Sequence, residues 1–436
     1  MGNDRSQIAR RLHDALGNGV ALYGEATRTF AIDGSAPAAV LYPATVANVR
    51  DCLAVASELS LGVVPVGNGT QLHLGHAPRS YDAALSLRSL RRVVAHETAD
   101  MTVTVEAGCT LAELNARLST NGQWLPLDPP CPEHTTVGAL IATDAWGPSR
   151  FSQGKVRDLL IGISAVLADG RLIHGGGRVV KNVAGYDLMK LFTGSFGTLG
   201  VITEATFKVR PRPQVSSVLV CESPSMADAV DDAVEIIAAP LAPLYVTALN
   251  PTAASFLHLP SAAVCVGIGG SAAEVAVQEQ RLQSLRAERS VVRHHGATAT
   301  RLLNGLRDLP SYNASLGARI SLLPTEMAAL LRDVEERTQR DQLPTAIVAQ
   351  VGSGVAHLRC GKRDGDAYDW AALGRWLRQC VAHTGGHVVF DRLPPDARGH
   401  LDPWGDAIPG FALMRGIKQK LDPRGILSPG RFVGKL

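Results

Sequence analysis

Nowhere in these 436 residues do two cysteines stand in a C-x-x-C pair. Cys52, Cys109, Cys131, Cys221, Cys265, Cys360 and Cys380 are scattered, which argues against a zinc site, an iron–sulfur cluster or a disulfide framework and points to a reducing compartment. An excess of one charge is missing too. The 43 Lys and Arg nearly balance the 40 Asp and Glu, a formal charge of +3, so no nucleic-acid footprint shows. Long apolar runs are also absent. The region from about 238 to 270 is broken by Pro240, Pro243, Pro251, His258 and Pro260, and cannot supply the roughly 20 uninterrupted residues of a spanning helix. Residues 1–11 are polar and lack the apolar centre of a secretory signal. The expectation is a cytoplasmic protein whose contact with an inner membrane, if it makes one, runs through partners. Neither an internal repeat nor a low-complexity tract is visible.

With 46% hydrophobic and 19% charged residues, a chain this long buries a large core spread over two or three domains. Its most informative stretch is Pro65-Val-Gly-Asn-Gly-Thr-Gln71, which follows the apolar run Leu61-Gly-Val-Val64. Two glycines in three positions after a strand allow positive φ and close approach, so successive N–H groups can converge on a diphosphate. An ordinary tight turn has the same pattern. Val46, Val49, Leu53 and Ala56 at helical spacing, with Thr45 placed to cap, predict a helix leading into that strand. Residues 101–105 alternate like a strand, and Thr110-Leu-Ala-Glu113 has the form of a capping box. Asp169-Gly170 joins two β-prone runs as a hairpin, so the sheet is expected to be mixed. Beyond Pro211 and Pro213 the texture becomes that of a second α+β domain, with helical periods at 226–237 and 272–285 and β-prone runs at 215–220 and 346–351.

Read together, the cradle, Leu127-Asp-Pro-Pro130 with Thr136-Val-Gly138, Gly154-Lys-Val-Arg-Asp158, Lys181-Asn-Val-Ala-Gly-Tyr-Asp-Leu188 and Gly194-Ser-Phe-Gly-Thr-Leu-Gly-Val-Ile-Thr203 resemble the FAD-binding domain of the p-cresol methylhydroxylase (PCMH) and vanillyl-alcohol oxidase superfamily. The tail, Lys420-Leu-Asp-Pro-Arg-Gly-Ile-Leu-Ser-Pro-Gly-Arg431, looks like that family's closing motif. The resemblance implies an α+β fold: an N-terminal helical extension (1–36), a two-subdomain PCMH-type FAD-binding domain (37–213), an α+β cap (214–395), and a C-terminal segment (396–436) returning to the FAD domain. It implies that Pro65, Val66, Gly67, Asn68, Gly69, Thr70 and Gln71 hold FAD, with Pro130, Val137, Gly138, Ala142, Val201 and Ile202 lining it. Covalent members usually carry histidine where Gly69 stands, so the flavin is expected to be noncovalent. His73 and His76 read as surface or packing residues, and Ala139 replaces the second glycine of the usual pair.

Members that oxidise 2-hydroxy acids carry His-x-Gly-Asp-Gly-Asn-x-His, whose imidazoles hold a divalent metal. The matching stretch here is Gln350-Val-Gly-Ser-Gly-Val-Ala-His357, which leaves His357 alone; no metal is expected. The chain therefore resembles the smaller flavin subunit, the E type, of bacterial glycolate oxidases. That likeness implies a catalytic flavin subunit and an iron–sulfur subunit as partners, and glycolate or a related acid such as D-lactate as the substrate of the complex. A self-sufficient D-2-hydroxy-acid dehydrogenase and a scaffold with structural FAD stay open. Arg319, His357 and Tyr186 are the candidates for catalysis: an arginine can hold a carboxylate bidentately, although a salt-bridged strand end would look the same. Lys181 is a polar handle or a turn clamp.

Overall fold

The computed structural model describes residues 5–16, 21–177, 186–361, 368–405 and 408–436. The N-terminal half contains two main sheets, besides the two-stranded pair Gln123–Trp124 with Arg210–Pro211, where the sequence suggested one mixed sheet. The first is four-stranded, in the order Ala21–Tyr23, Ala39–Leu41, Ala83–Ser86, Val63–Val66, and its last three strands are parallel. The second is a five-stranded antiparallel sheet ordered Val93–Glu97, Thr102–Glu106, Val201–Lys208, Leu160–Val166, Leu172–Gly176. Alternation and turns disclose strands and local hairpins, whereas the assignment of strands to sheets rests on long-range packing that leaves no local pattern.

Local chemistry places the elements. Helix Val46–Glu58 starts where Thr45 Oγ1 accepts from the Asn48 N–H, and it buries Val49, Cys52, Leu53 and Ala56 along one stripe. It is the crossover that makes Ala39–Leu41 and Val63–Val66 run parallel. Thr110 and Glu113 form a complete capping box on Leu111–Ser119, and Gly170 takes φ +82° in the hairpin turn. Leu53, Leu85, Leu114, Leu140 and Phe207 belong to the core beneath these sheets, and each fully buried side chain contributes about 1.5–3 kcal/mol.

The second half is one eight-stranded antiparallel sheet, ordered Val291–His295, Val215–Glu222, Ala263–Gly270, Tyr245–Leu249, Thr345–Gln350, Val355–Cys360, Leu316–Ser321, His387–Arg392. That order exposes a duplication invisible in the sequence. Residues 215–295 and 316–392 each run strand, helix, strand, strand, helix, strand, with the ferredoxin-like arrangement in which the fourth strand lies beside the first and the third separates first from second. The two units meet through their second strands at Ala248↔Ala349 and Leu249↔Val348. The repeat lies in topology and apolar alternation, which many residue choices satisfy. Four helices, Met226–Ala238, Ala272–Leu285, Pro324–Arg340 and Trp370–His383, bury one face of the sheet.

The opposite face is treated differently in the two units. Over the first, Pro251–Ser255 and Gly296–Asp308 close on Val218, Tyr245 and Cys265. Over the second, the N-terminal half itself is the cover. The tail returns to the N-terminal half: the Val63 N–H donates to Ile426 O and the Ser428 N–H to Val63 O, both at 2.8 Å. Buried Lys418 reaches Thr198 O and Leu427 O at 2.8 Å and pairs with Asp422.

Candidate functional site

Beyond strand Val63–Val66 the chain turns through Gly67, Asn68 and Gly69, the last at φ +82°. The N–H groups of Gly67, Asn68, Gly69, Thr70 and Gln71 donate to no described group of the chain, a row of open donors on one loop. Gly67, Gly69, Thr70 and Gln71 line a cleft of about 720 Å³ walled by Val66, Gly138, Ala142, Phe196 and Ile202. The amides at the facing helix Val137–Thr143 are engaged instead: Val137 donates to Cys109 O, Gly138 to Ala107 O at 2.7 Å, and Ala139 to Thr136 Oγ1. A Cβ on Gly138 would lie 2.9 Å from that of Ala107, so this glycine serves strand–helix packing.

Arg431 fixes the far wall. It is 5% exposed, and its guanidinium donates to Leu72 O at 2.7 Å and Leu74 O at 2.6 Å. Burial pulls its pKa down to about 10, although Tyr81 pulls the other way. Phe196 holds φ +56°, a strained value for a bulky residue, and is clamped between Trp404, edge-on at 4.7 Å, and Phe432, stacked at 5.3 Å.

Phe196, Thr143 and Gln71 also border a second cavity, the chamber, of about 750 Å³ between the N-terminal half and the second unit of the eight-stranded sheet. Arg319, His357, Arg359 and Asp391 face into it from the sheet. Arg319 and His357 are direct cross-strand partners. The Arg359–Asp391 pair, 2.8 Å, passes over Gly317, where a Cβ would lie 2.4 Å from Asp391 Oδ1. Burial raises the Asp391 pKa, but the charge and hydrogen bond of Arg359 outweigh it and hold the carboxyl below its usual range. Arg319 has no hydrogen bond or ion pair with a described residue. Burial lowers its pKa, and the more distant Asp391 and Asp144 raise it.

Two imidazoles share the chamber. Burial takes His357 down to about 3, helped by Arg359 and opposed by Asp391, and takes His73 down to about 4. Both are neutral at neutral pH. His357 leans on Trp146, ring centroids 5.6 Å apart, and Arg150 covers that indole at 4.3 Å.

Of the residues singled out in the sequence, the structure brings Pro65, Val66, Gly67, Gly69, Thr70, Gln71, Gly138, Ala142 and Ile202 to the cleft, and Pro130, Arg319 and His357 to the chamber. Asn68 ties the cradle to the His134 carbonyl at 3.0 Å. Val137 and Val201 lie in the core and not on the cleft wall, because the stripe that anchors each element to the sheet takes them inward. Tyr186 is 94% exposed and borders neither cavity. Lys181 lies outside the described residues. His73, read as a surface or packing residue, is a chamber wall. Arg359 and Asp391 had no motif; the one available signal was the i, i+2 spacing that puts Arg359 on the face of His357.

Two family profiles match in tandem: the FAD binding domain over residues 37–176, and the C-terminal domain of FAD linked oxidases over residues 212–389 and 406–432. The chain belongs to the FAD-linked oxidases. Among relatives of this oxidase, glycolate oxidase subunit GlcD of Bacillus subtilis is 26% identical, with 92% of this chain and 90% of that one aligned. Glycolate oxidase subunit GlcE of Escherichia coli is 27% identical over 81% and 87%. A D-lactate dehydrogenase of Archaeoglobus fulgidus is 28% identical over 91% of each chain. Likeness is thus similar to D-type, E-type and dehydrogenase relatives. The solved p-cresol methylhydroxylase superposes with a TM-score of 0.76 at 15% identity, over 98% of this chain and 96% of that one, which establishes the PCMH-type α+β fold.

FAD is the cofactor of this oxidase, and the residues fit it. The five open amides at 67–71 suit the diphosphate, the apolar wall suits the rings, and Gly69 offers no side chain for a covalent link. The metal of the 2-hydroxy-acid members does not fit. Among the described residues, the buried oxygens of Gln350 and Ser353, which stand in its motif, have no hydrogen-bond partner, and no three His, Cys, Asp or Glu converge as ligands. No described helix is long and apolar enough to cross a membrane.

Proposed function

We propose that this FAD-linked oxidase is the flavin subunit of a 2-hydroxy-acid dehydrogenase complex of the glycolate type and takes part in the oxidation of glycolate or a related acid such as D-lactate to the 2-oxo acid, with electrons passed to a partner. One observation carries the reading: a desolvated guanidinium with no ion-pair partner among the described residues, Arg319, faces a chamber that adjoins the flavin cleft. Leaving a cation so placed costs stability unless a ligand carboxylate answers it. Bound FAD supplies the two-electron acceptor. Arg319 grips the carboxylate bidentately and orients C2 toward the cleft, while Trp146 and Phe196 exclude water. The hydroxyl proton goes to a chamber imidazole, His73 or His357, each kept neutral by burial and so with a ring nitrogen open to a proton.

The same imidazoles favour a second reading, a dehydrogenase complete in itself. The partners proposed for the first, a catalytic flavin subunit and an iron–sulfur subunit, follow from the likeness to glycolate oxidase subunits and from the lack of an iron–sulfur cysteine motif in the chain. Anaerobic bleaching of the flavin by glycolate or D-lactate, alone and with the catalytic partner, separates them. Bleaching only with the partner supports the relay, and bleaching alone supports the independent enzyme. A flavin that never bleaches sinks both and leaves a scaffold.

A further inference from the structure

His73, Gly75, Phe390 and Asp391 wall the chamber on one side and a third cavity, of about 740 Å³, on the other. Cleft, chamber and third cavity therefore lie in series, the first two sharing Gln71, Thr143 and Phe196. The outer wall of the third cavity includes exposed Ala77, Arg79 and Lys435, so it opens to solvent on the side of the tail. Its charges divide clearly. Arg398 is paired with Asp33, Asp391 with Arg359, and His76 Nε2 lies 3.2 Å from Asp402. Arg79 and Lys435 have no ion-pair partner among the described residues, and both stand at the mouth. The row of cavities thus presents unmatched positive charge outside, a neutral imidazole on the shared wall, and the Arg319 guanidinium beyond.

We propose that this third cavity is the vestibule through which a small carboxylate anion reaches and leaves the chamber, drawn in by Arg79 and Lys435 and passing His73 at the neck. The choice of a carboxylate rests on the proposed function. Unpaired surface cations at a cleft mouth raise the local concentration and on-rate of an anion, an effect screened by salt.

The test is stopped-flow binding of oxalate to the FAD-loaded protein, read from the flavin absorbance, in wild type, Ala77→Trp and the double variant Arg79→Glu/Lys435→Glu. A plugged route slows association and dissociation by the same factor and leaves the equilibrium constant unchanged, which distorted binding does not do. Ala77→Trp is expected to lower both rates about tenfold at every ionic strength. The double variant is expected to lower the association rate about tenfold at low salt, with the difference closing above about 0.5 M. Association at the wild-type rate in Ala77→Trp, an altered dissociation constant with unaltered release, or no oxalate binding by wild type would each overturn the vestibule. Oxalate kinetics as expected, with a flavin that no 2-hydroxy acid bleaches with or without the partner, would sink the proposed function and leave the vestibule standing.

Discussion

The two units of the cap sheet have one topology and opposite employment. In the first, the face away from the four large helices carries Val218, Val220, Tyr245 and Cys265 and is sealed by the unit's own short helix and by Gly296–Asp308. In the second, the corresponding face carries Arg319, His357, Arg359 and Asp391 and is left for the flavin-side half to cover. The strand order that positions side chains is thus common to both, and the chemistry sits on one copy. A sheet face covered by its own helices can be apolar throughout, whereas a face closing against another domain tolerates charges provided each is paired or awaits a ligand.

The comparison breaks most sharply at the Arg359–Asp391 pair, because both partners are largely buried, with side chains 9% and 14% exposed. Arg359→Met leaves the Asp391 carboxylate without its cation and is expected to cost about 3–5 kcal/mol in urea unfolding. Cys265→Ala, on the matching face of the first unit, removes one sulfur from an apolar setting and is expected to cost about 1–2 kcal/mol. Equal losses would mean that the pair is not the element that holds the second face.

Arg319→Met tests the unpartnered cation. Since no described residue pairs with it, the fold is expected to keep its stability or gain a little. The kcat/KM for a 2-hydroxy acid is expected to fall at least about 100-fold, the scale of one desolvated charge-assisted contact of ~3 kcal/mol. A loss of stability with unchanged kinetics would return Arg319 to a structural role.

These residues also show how far the sequence could be read. Thr45, the Thr110–Glu113 box and the Asp169-Gly170 turn act within a few residues, so they were legible, and so was the glycine cradle. Asp391 lies 32 residues from Arg359 and meets it only because strand 316–321 places Gly317 between them. His73 sits in a loop, where no period says which way a side chain points, and only the tail closing over 72–76 through Arg431 makes it a wall. Val137 and Val201 belonged to the right elements, but the inward and outward faces of a short helix and a strand start were not separable without the packing.

The histidines give the two faces different pH behaviour. His73 and His357 titrate at about 4 and about 3 in the folded chain, against 6.5 unfolded. The unfolded chain therefore binds more protons between pH 6.5 and those values, and stability falls as the pH drops through that window. Over the full range the shifts correspond to about 3 kcal/mol for His73 and about 5 kcal/mol for His357. Asp391, Arg392, Arg359 and Arg431 surround His73, and Arg359, Asp391, Arg319 and Arg150 surround His357. Urea midpoints of His357→Gln between pH 7 and 4 should decline less steeply than those of wild type. A parallel decline would show that the buried imidazole is already protonated in the fold.

The smallest expected effect sharpens the contrast from the sealed side. Thr247, on the second strand of the first unit, is fully buried, and its Oγ1 has no hydrogen-bond partner among the described residues. On the face that meets the flavin-side half, an unsatisfied polar atom can be answered by a ligand or by water in the chamber. Under Gly296–Asp308 nothing comparable is at hand, so the hydroxyl carries a desolvation cost without return. Thr247→Val keeps the shape, removes that cost, and is expected to stabilise by up to about 1 kcal/mol while flavin content and oxidation kinetics stay at wild-type values. Destabilisation would place a hidden acceptor or water beneath the helix, and the first unit would then hold a polar site of its own.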